Sequence, residues 1–88
     1  MEDKYAKLKE VLEDKNYPLI YPFKLIFEKD EAKMIQIKRV FDETAEISKR
    51  DSKNGKYISI TIKQMMMNSE DIITRYRHME EIEGVITL

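Results

Sequence analysis

The chain has 88 residues, 42% apolar and 38% charged. That balance suits one small globular domain and is too apolar for a disordered tail. Its 16 Lys and Arg oppose 17 Asp and Glu, so net charge gives no long-range attraction to nucleic acid or an anionic membrane. The absence of cysteine excludes disulfides, zinc–thiolate sites, iron–sulfur clusters and thiol catalysis. A lone histidine, His78, excludes a multi-histidine metal centre. The polar start, Met1-Glu2-Asp3-Lys4, is unlike a signal peptide, and no apolar stretch approaches the roughly 18–20 residues that span a bilayer. A soluble cytoplasmic protein with no membrane role is expected.

Residues 3–14 predict a short amphipathic helix, with Tyr5, Leu8 and Leu12 at helical spacing and Val11 beside them. Such a helix is marginal alone in water and must dock. Asn16-Tyr17-Pro18 ends it, because a residue preceding proline disfavours helix. This segment, 1–18, reads as a helix and linker ahead of a domain over 19–88. Residues 20–28 alternate: Tyr21, Phe23, Leu25 and Phe27 on one face, Pro22, Lys24, Ile26 and Glu28 on the other. Pro22 cannot donate to a ladder, which places it at the strand's start. Asp30 caps a helix that runs to Asp42, its inner stripe Met34, Ile37, Val40 and Phe41.

Strands over 45–51 and 57–65 flank Asn54-Gly55, the signature of a two-residue type I′ hairpin. That loop sets Ile47 opposite Ile62 inside and Glu46 opposite Lys63 outside; a one-residue slip breaks both pairs. Ile58, Ile60 and Ile62 share the inner face, and Tyr57, Ser59, Thr61 and Lys63 the outer. Asn68 or Ser69 caps a last helix with Ile72, Ile73, Tyr76 and Met79 inward, ending near Glu83 before Gly84. Residues 85–88 form the final strand. After the leading helix the order is β-α-β-β-α-β. With right-handed crossovers this gives an α+β ferredoxin-like sandwich, a four-stranded antiparallel sheet with two helices on one face. The outer face is open to water, to self-association or to a cap by the N-terminal helix.

The runs Tyr21-Pro22-Phe23-Lys24-Leu25-Ile26, Ala45-Glu46-Ile47-Ser48, Ser52-Lys53-Asn54-Gly55-Lys56-Tyr57-Ile58-Ser59, Ser69-Glu70-Asp71-Ile72-Ile73 and Ile82-Glu83-Gly84-Val85-Ile86 together resemble the YbeD-like family of small bacterial proteins of unknown function. The resemblance implies a ferredoxin-like fold related to ACT regulatory domains, with no established activity and no catalytic motif.

The residues themselves exclude several chemistries found on this fold. The loop Glu28-Lys29-Asp30-Glu31 is acidic and lacks the glycines of an acylphosphatase phosphate loop. Paired metal-carrier cysteines are missing. An RNA-recognition sheet needs outward aromatics on its central strands, and only Tyr57 qualifies. No glycine precedes Gly55, which removes the usual backbone approach to an amino acid in an ACT pocket.

Three features carry sharper readings. Lys49, Arg50, Lys53 and Lys56, with Tyr57 and Lys63, form a candidate interaction patch for an acidic partner or nucleic acid. The plainer reading is a solvated hairpin tip whose lysines block edge pairing. Met65-Met66-Met67 cannot chelate one ion, because successive strand residues point to opposite faces; one or two fill core. His78 lies off the inner stripe and is exposed. The expectation is a non-catalytic regulatory or protein-interaction module without a cofactor. It would associate with itself, as a homodimer, or with a partner enzyme. The alternative is a weak single-stranded nucleic-acid binder using the outer face and the basic hairpin.

Overall fold

A computed structural model describes residues 4–88. In chain order the elements are α1 (Ala6–Glu13), β1 (Leu19–Glu28), α2 (Glu31–Val40), β2 (Glu46–Asp51), β3 (Tyr57–Met66), α3 (Ser69–Glu80) and β4 (Ile86–Thr87). The sheet runs β2-β3-β1-β4 with every neighbouring pair antiparallel. This is the ferredoxin-like order, with the two most apolar strands at the centre. Asp3, at the start of the expected leading helix, lies outside the described residues.

The period-two alternation puts Phe23, Leu25 and Phe27 of β1 and Ile58, Ile60, Ile62 and Met66 of β3 on the covered face, where all are buried. Ile37 from α2 and Ile72, Ile73, Tyr76 and Met79 from α3 close over them. Each such side chain contributes about 1.5–3 kcal/mol when fully removed from water. Phe23 is the aromatic centre, with edge contacts to Tyr21 (4.8 Å), Phe41 (5.1 Å) and Tyr76 (5.3 Å).

The helix starts follow the sequence. Asp30 accepts a 2.8 Å bond from Ala32 N–H, and Asn68 rather than Ser69 is the second cap, accepting from Asp71 N–H at 2.9 Å. The helix ends come early. α2 stops at Val40, because Phe41 turns extended (φ −114°, ψ 164°) and buries its ring. α3 stops at Glu80 rather than Glu83; the Ile82 N–H bonds Met79 C=O at 3.1 Å, a tightened last turn. Gly84 follows at φ +80°. The final strand has two paired residues instead of four, extended by Leu88 N–H to Lys24 C=O at 2.8 Å.

Two local expectations need correction. The hairpin is not type I′: among the described residues no non-glycine has positive φ, so only Gly55 (φ +72°) is left-handed. The loop has four residues, 53–56, between Ser52 and Tyr57, closed by Ser52 N–H to Tyr57 C=O at 2.9 Å. Asn54 uses its side chain instead, its Oδ1 accepting from the Lys56 N–H and Ser52 hydroxyl. The longer loop keeps the same centre, so Ile47 still faces Ile62 and Glu46 still faces Lys63. Pro22 is the fourth residue of β1, not its start. Leu88 bonds Lys24, so the even positions of β1 aim their backbone groups away from β3. Pro22 therefore points its missing donor at the edge that β4 is too short to reach.

α1 docks beside α3 on the helical side and does not cap the outer face. Leu12 is buried, Tyr5 and Leu8 are half-buried, and Val11 points to solvent. Tyr5 stacks on Tyr76 at 6.0 Å and donates its hydroxyl to Glu80 at 2.9 Å. Lys4 pairs with Glu80, and Lys9 with Glu70.

Candidate functional site: the uncovered sheet face

The outward side chains of the four strands form one surface that no described element covers. The register sets its rows across β1 and β3: Ile20 beside Met65, Pro22 beside Lys63, Lys24 beside Thr61, Ile26 beside Ser59, Glu28 beside Tyr57. β2 adds Glu46, Ser48 and Arg50 along the β3 side. Ile86 joins beside Ile26 on the β1 side. Ile20 is 62% exposed, Met65 56% and Ile86 60%. Ile20 and Met65 are adjacent at one end of the face, and Ile86 stands apart from them beyond polar rows. Lys24, Lys63 and Arg50 are interleaved with Glu28 and Glu46, so neither sign dominates.

The six residues of the expected basic patch do not share this surface. Arg50, Tyr57 and Lys63 lie on it. Lys53 and Lys56 sit in the hairpin loop, and the Lys56 ammonium lies 5.6 Å over the Tyr57 ring. Lys49 pairs with Ile60 in an inward row and lines a hollow near the start of α2 with Asp30 and Met34. Asp51, within the same run, pairs with Lys29 at 3.4 Å. A cleft of about 330 Å³ at the hairpin base is lined by Ile26, Arg50, Lys53, Tyr57 and Ser59. It is a shallow extension of the outer face.

A further cleft, of about 580 Å³, has no local signature in the sequence. It runs between α2 and α3, with Lys33, Gln36 and Arg39 on one wall and His78, Glu81 and Glu83 on the other. Its walls bring together residues far apart in sequence, so no local pattern announces it. His78 is exposed on its rim, as its position off the inner stripe implies. Among the described residues, no three His, Asp or Glu are placed to hold a metal ion. Of the three consecutive methionines, Met66 is buried, while Met65 and Met67 are exposed.

The shifted titrations belong to structure. Hydrogen bonds from the Thr44 hydroxyl and N–H hold Asp42 below the usual carboxylate range, with Gln64 adding to the effect. Bonds from Lys4 and Tyr5 do the same for Glu80. Burial, then the 3.0 Å hydroxyl contact with Tyr21, raises Tyr76.

A family model described as a protein of unknown function (DUF493) matches residues 13–88. The solution structure of protein HP0495 from H. pylori superposes with a TM-score of 0.69 at 16% identity, covering 84% of this chain and 85% of that one. A putative PII-like signaling protein from Thermus thermophilus matches more loosely: TM-score 0.44, 16% identity, 78% and 84% covered. No curated protein matches the chain. The first of these likenesses shows the fold.

Proposed function

We propose that this chain, which belongs to the DUF493 family of proteins of unknown function, is a non-catalytic regulatory or protein-interaction module that works by association through its uncovered sheet face. The observation that carries this reading is the face itself: Ile20, Met65 and Ile86 stand more than half exposed on a surface framed by charges of both signs. A solvated face of an antiparallel sheet needs no such side chains. Small regulatory domains act by presenting surfaces to themselves or to an enzyme.

The test compares capture from native lysate by the wild-type chain, by Thr61→Arg on the outer face, and by Gln36→Arg on the α2 wall. Wild type and Gln36→Arg should retain the same proteins, copies of the chain included, and Thr61→Arg should lose them. Equal retention by all three would end the reading.

A further inference from the structure

We propose that the occupant of the uncovered face is a second copy of this chain, packed face to face about a two-fold axis running along the strands between β1 and β3. The proposal rests on the reading of that face as the working surface and names what sits on it.

Such an axis exchanges the two central strands and preserves the rows. Each outward side chain of β1 then meets its own row partner from the other copy. Ile20 meets Met65 twice, gathering four exposed apolar side chains into one cluster. Glu28 meets the Tyr57 hydroxyl, which donates to the carboxylate. Lys24 meets the Thr61 hydroxyl, which accepts from the ammonium. Lys63 lies over Pro22, and Ile26 over Ser59. At the margins β2 crosses β4, laying the Arg50 stem along Ile86 and Ser48 against Leu88. No like charges oppose each other, and Glu46 stays at the rim beside Lys63.

The complementarity is specific to this axis. A two-fold across the strands would set Lys24 against its own copy and Ile20 against Glu28, two contacts that cost on desolvation. A nucleic acid would meet Glu28 and Glu46 with one aromatic to stack on. A strongly charged protein would meet a face of mixed sign. A surface matched to itself in both charge and apolar rows suits a second copy.

The available area sets the strength. β1 and β3 span about 33 Å, but β2 has six residues and β4 two, so at a strand spacing of about 4.8 Å each copy covers roughly 450 Å². The total of roughly 900 Å² lies below the about 1,200 Å² at the lower end for a stable specific interface. The dimer is therefore weak and concentration-dependent.

The experiment is sedimentation equilibrium on the full chain, its Ile20→Lys and Met65→Glu variants, and their equimolar mixture. Ile20 is 62% exposed and Met65 56%, so both variants keep the core, which circular dichroism melts verify. The wild type should dimerise with rising concentration, and each variant should dissociate at least about ten-fold more readily. The mixture should regain a heterodimer, because the two introduced charges, opposite in sign, then meet as row partners across the axis while the unchanged Met65 and Ile20 keep their own contact. Variants that dissociate without regaining a heterodimer on mixing would overturn the two-fold arrangement. A wild type that stays monomeric at NMR concentrations would overturn the second copy as occupant. If its lysate capture still depends on Thr61, the reading of the face stands. A dimer indifferent to the Ile20 and Thr61 substitutions removes both.

Discussion

Tyr76 is where three elements meet, so its substitution separates the forces that hold α1. The ring is 7% exposed. It stacks on Tyr5 of the α1 entry at 6.0 Å and meets Phe23 edge-on at 5.3 Å. Its hydroxyl bonds Tyr21 at 3.0 Å. Tyr76→Phe removes only that hydrogen bond, a net loss of about 0.5–1.5 kcal/mol. At roughly 4–8 °C per kcal/mol for a domain this small, Tm should fall by about 2–12 °C. Tyr76→Ala removes the ring as well, which costs about 3–5 kcal/mol. A chain of this length holds only about 4–13 kcal/mol in total, so the alanine variant should be marginal, with α1 released first. Urea titration with amide exchange on α1 reads both effects. Equal losses for Phe and Ala would show that the hydroxyl, not the ring, anchors the cluster. A loss under about 1 kcal/mol for Ala would refute the ring packing as the anchor of α1.

The same residue makes an alkaline prediction. Burial and the Tyr21 bond raise the Tyr76 pKa in the folded chain. The unfolded chain releases this proton near pH 10, while the folded chain holds it. The contribution is thus intact below about pH 10 and is lost as pH rises beyond it. Tyr76→Phe should flatten that alkaline decline in pH-dependent melts.

Two further outcomes follow from the contacts. The bonds from Lys4 and Tyr5 lower the Glu80 pKa, so its hold on α1 is complete above the ordinary glutamate value of about 4.3 and fades as pH falls through the lower folded value. Tyr5 ring signals in NMR should shift toward their unfolded positions on acidification before the sheet melts, and Glu80→Gln should show that shift at neutral pH. Gly55 and Gly84 both have positive φ, but a Cβ at Gly55 meets open space and one at Gly84 meets the Lys33 ammonium. Gly55→Ala should cost the backbone term alone, about 1–2 kcal/mol by urea titration. Gly84→Ala should cost about the same, because the ammonium it meets is the end of the flexible Lys33 side chain and swings aside.

What was legible in the sequence was local or periodic. The alternation in β1 and β3, the caps Asp30 and Asn68, and the hairpin register all depend on neighbours within a few residues. Where the reading failed, a local rule met a constraint from outside its window. Asn54-Gly55 reads as a two-residue turn, yet the Asn54 side chain supports a four-residue loop with the same pairing. Pro22 reads as a strand start, yet the shortness of β4 leaves it an edge inside a central strand. The basic run reads as a patch along the chain, and the same period of two that places Ile47 inward places Lys49 inward and Arg50 outward, so these two lie on opposite faces. The cleft between α2 and α3 and the docking of α1 depend on contacts between distant segments, which periodicity does not encode.

The edges of the sheet bear on why the face is the route we propose for association. β2 leaves one edge open, but Lys49 and Arg50 stand on it and discourage strand addition. On the other side β4 covers only the second half of β1. The first half offers backbone groups at Ile20 and Pro22, and proline supplies no donor. A strand added there would find too few hydrogen bonds to hold it. The face differs: its apolar side chains stand in register at one end, and its charges are spaced so that each can find a neutral or opposite neighbour in a second sheet. Edge protection and face complementarity are thus complementary consequences of one register. A Pro22→Val substitution restores the missing donor and so opens the edge route, while it also replaces the side chain that Lys63 meets on the face.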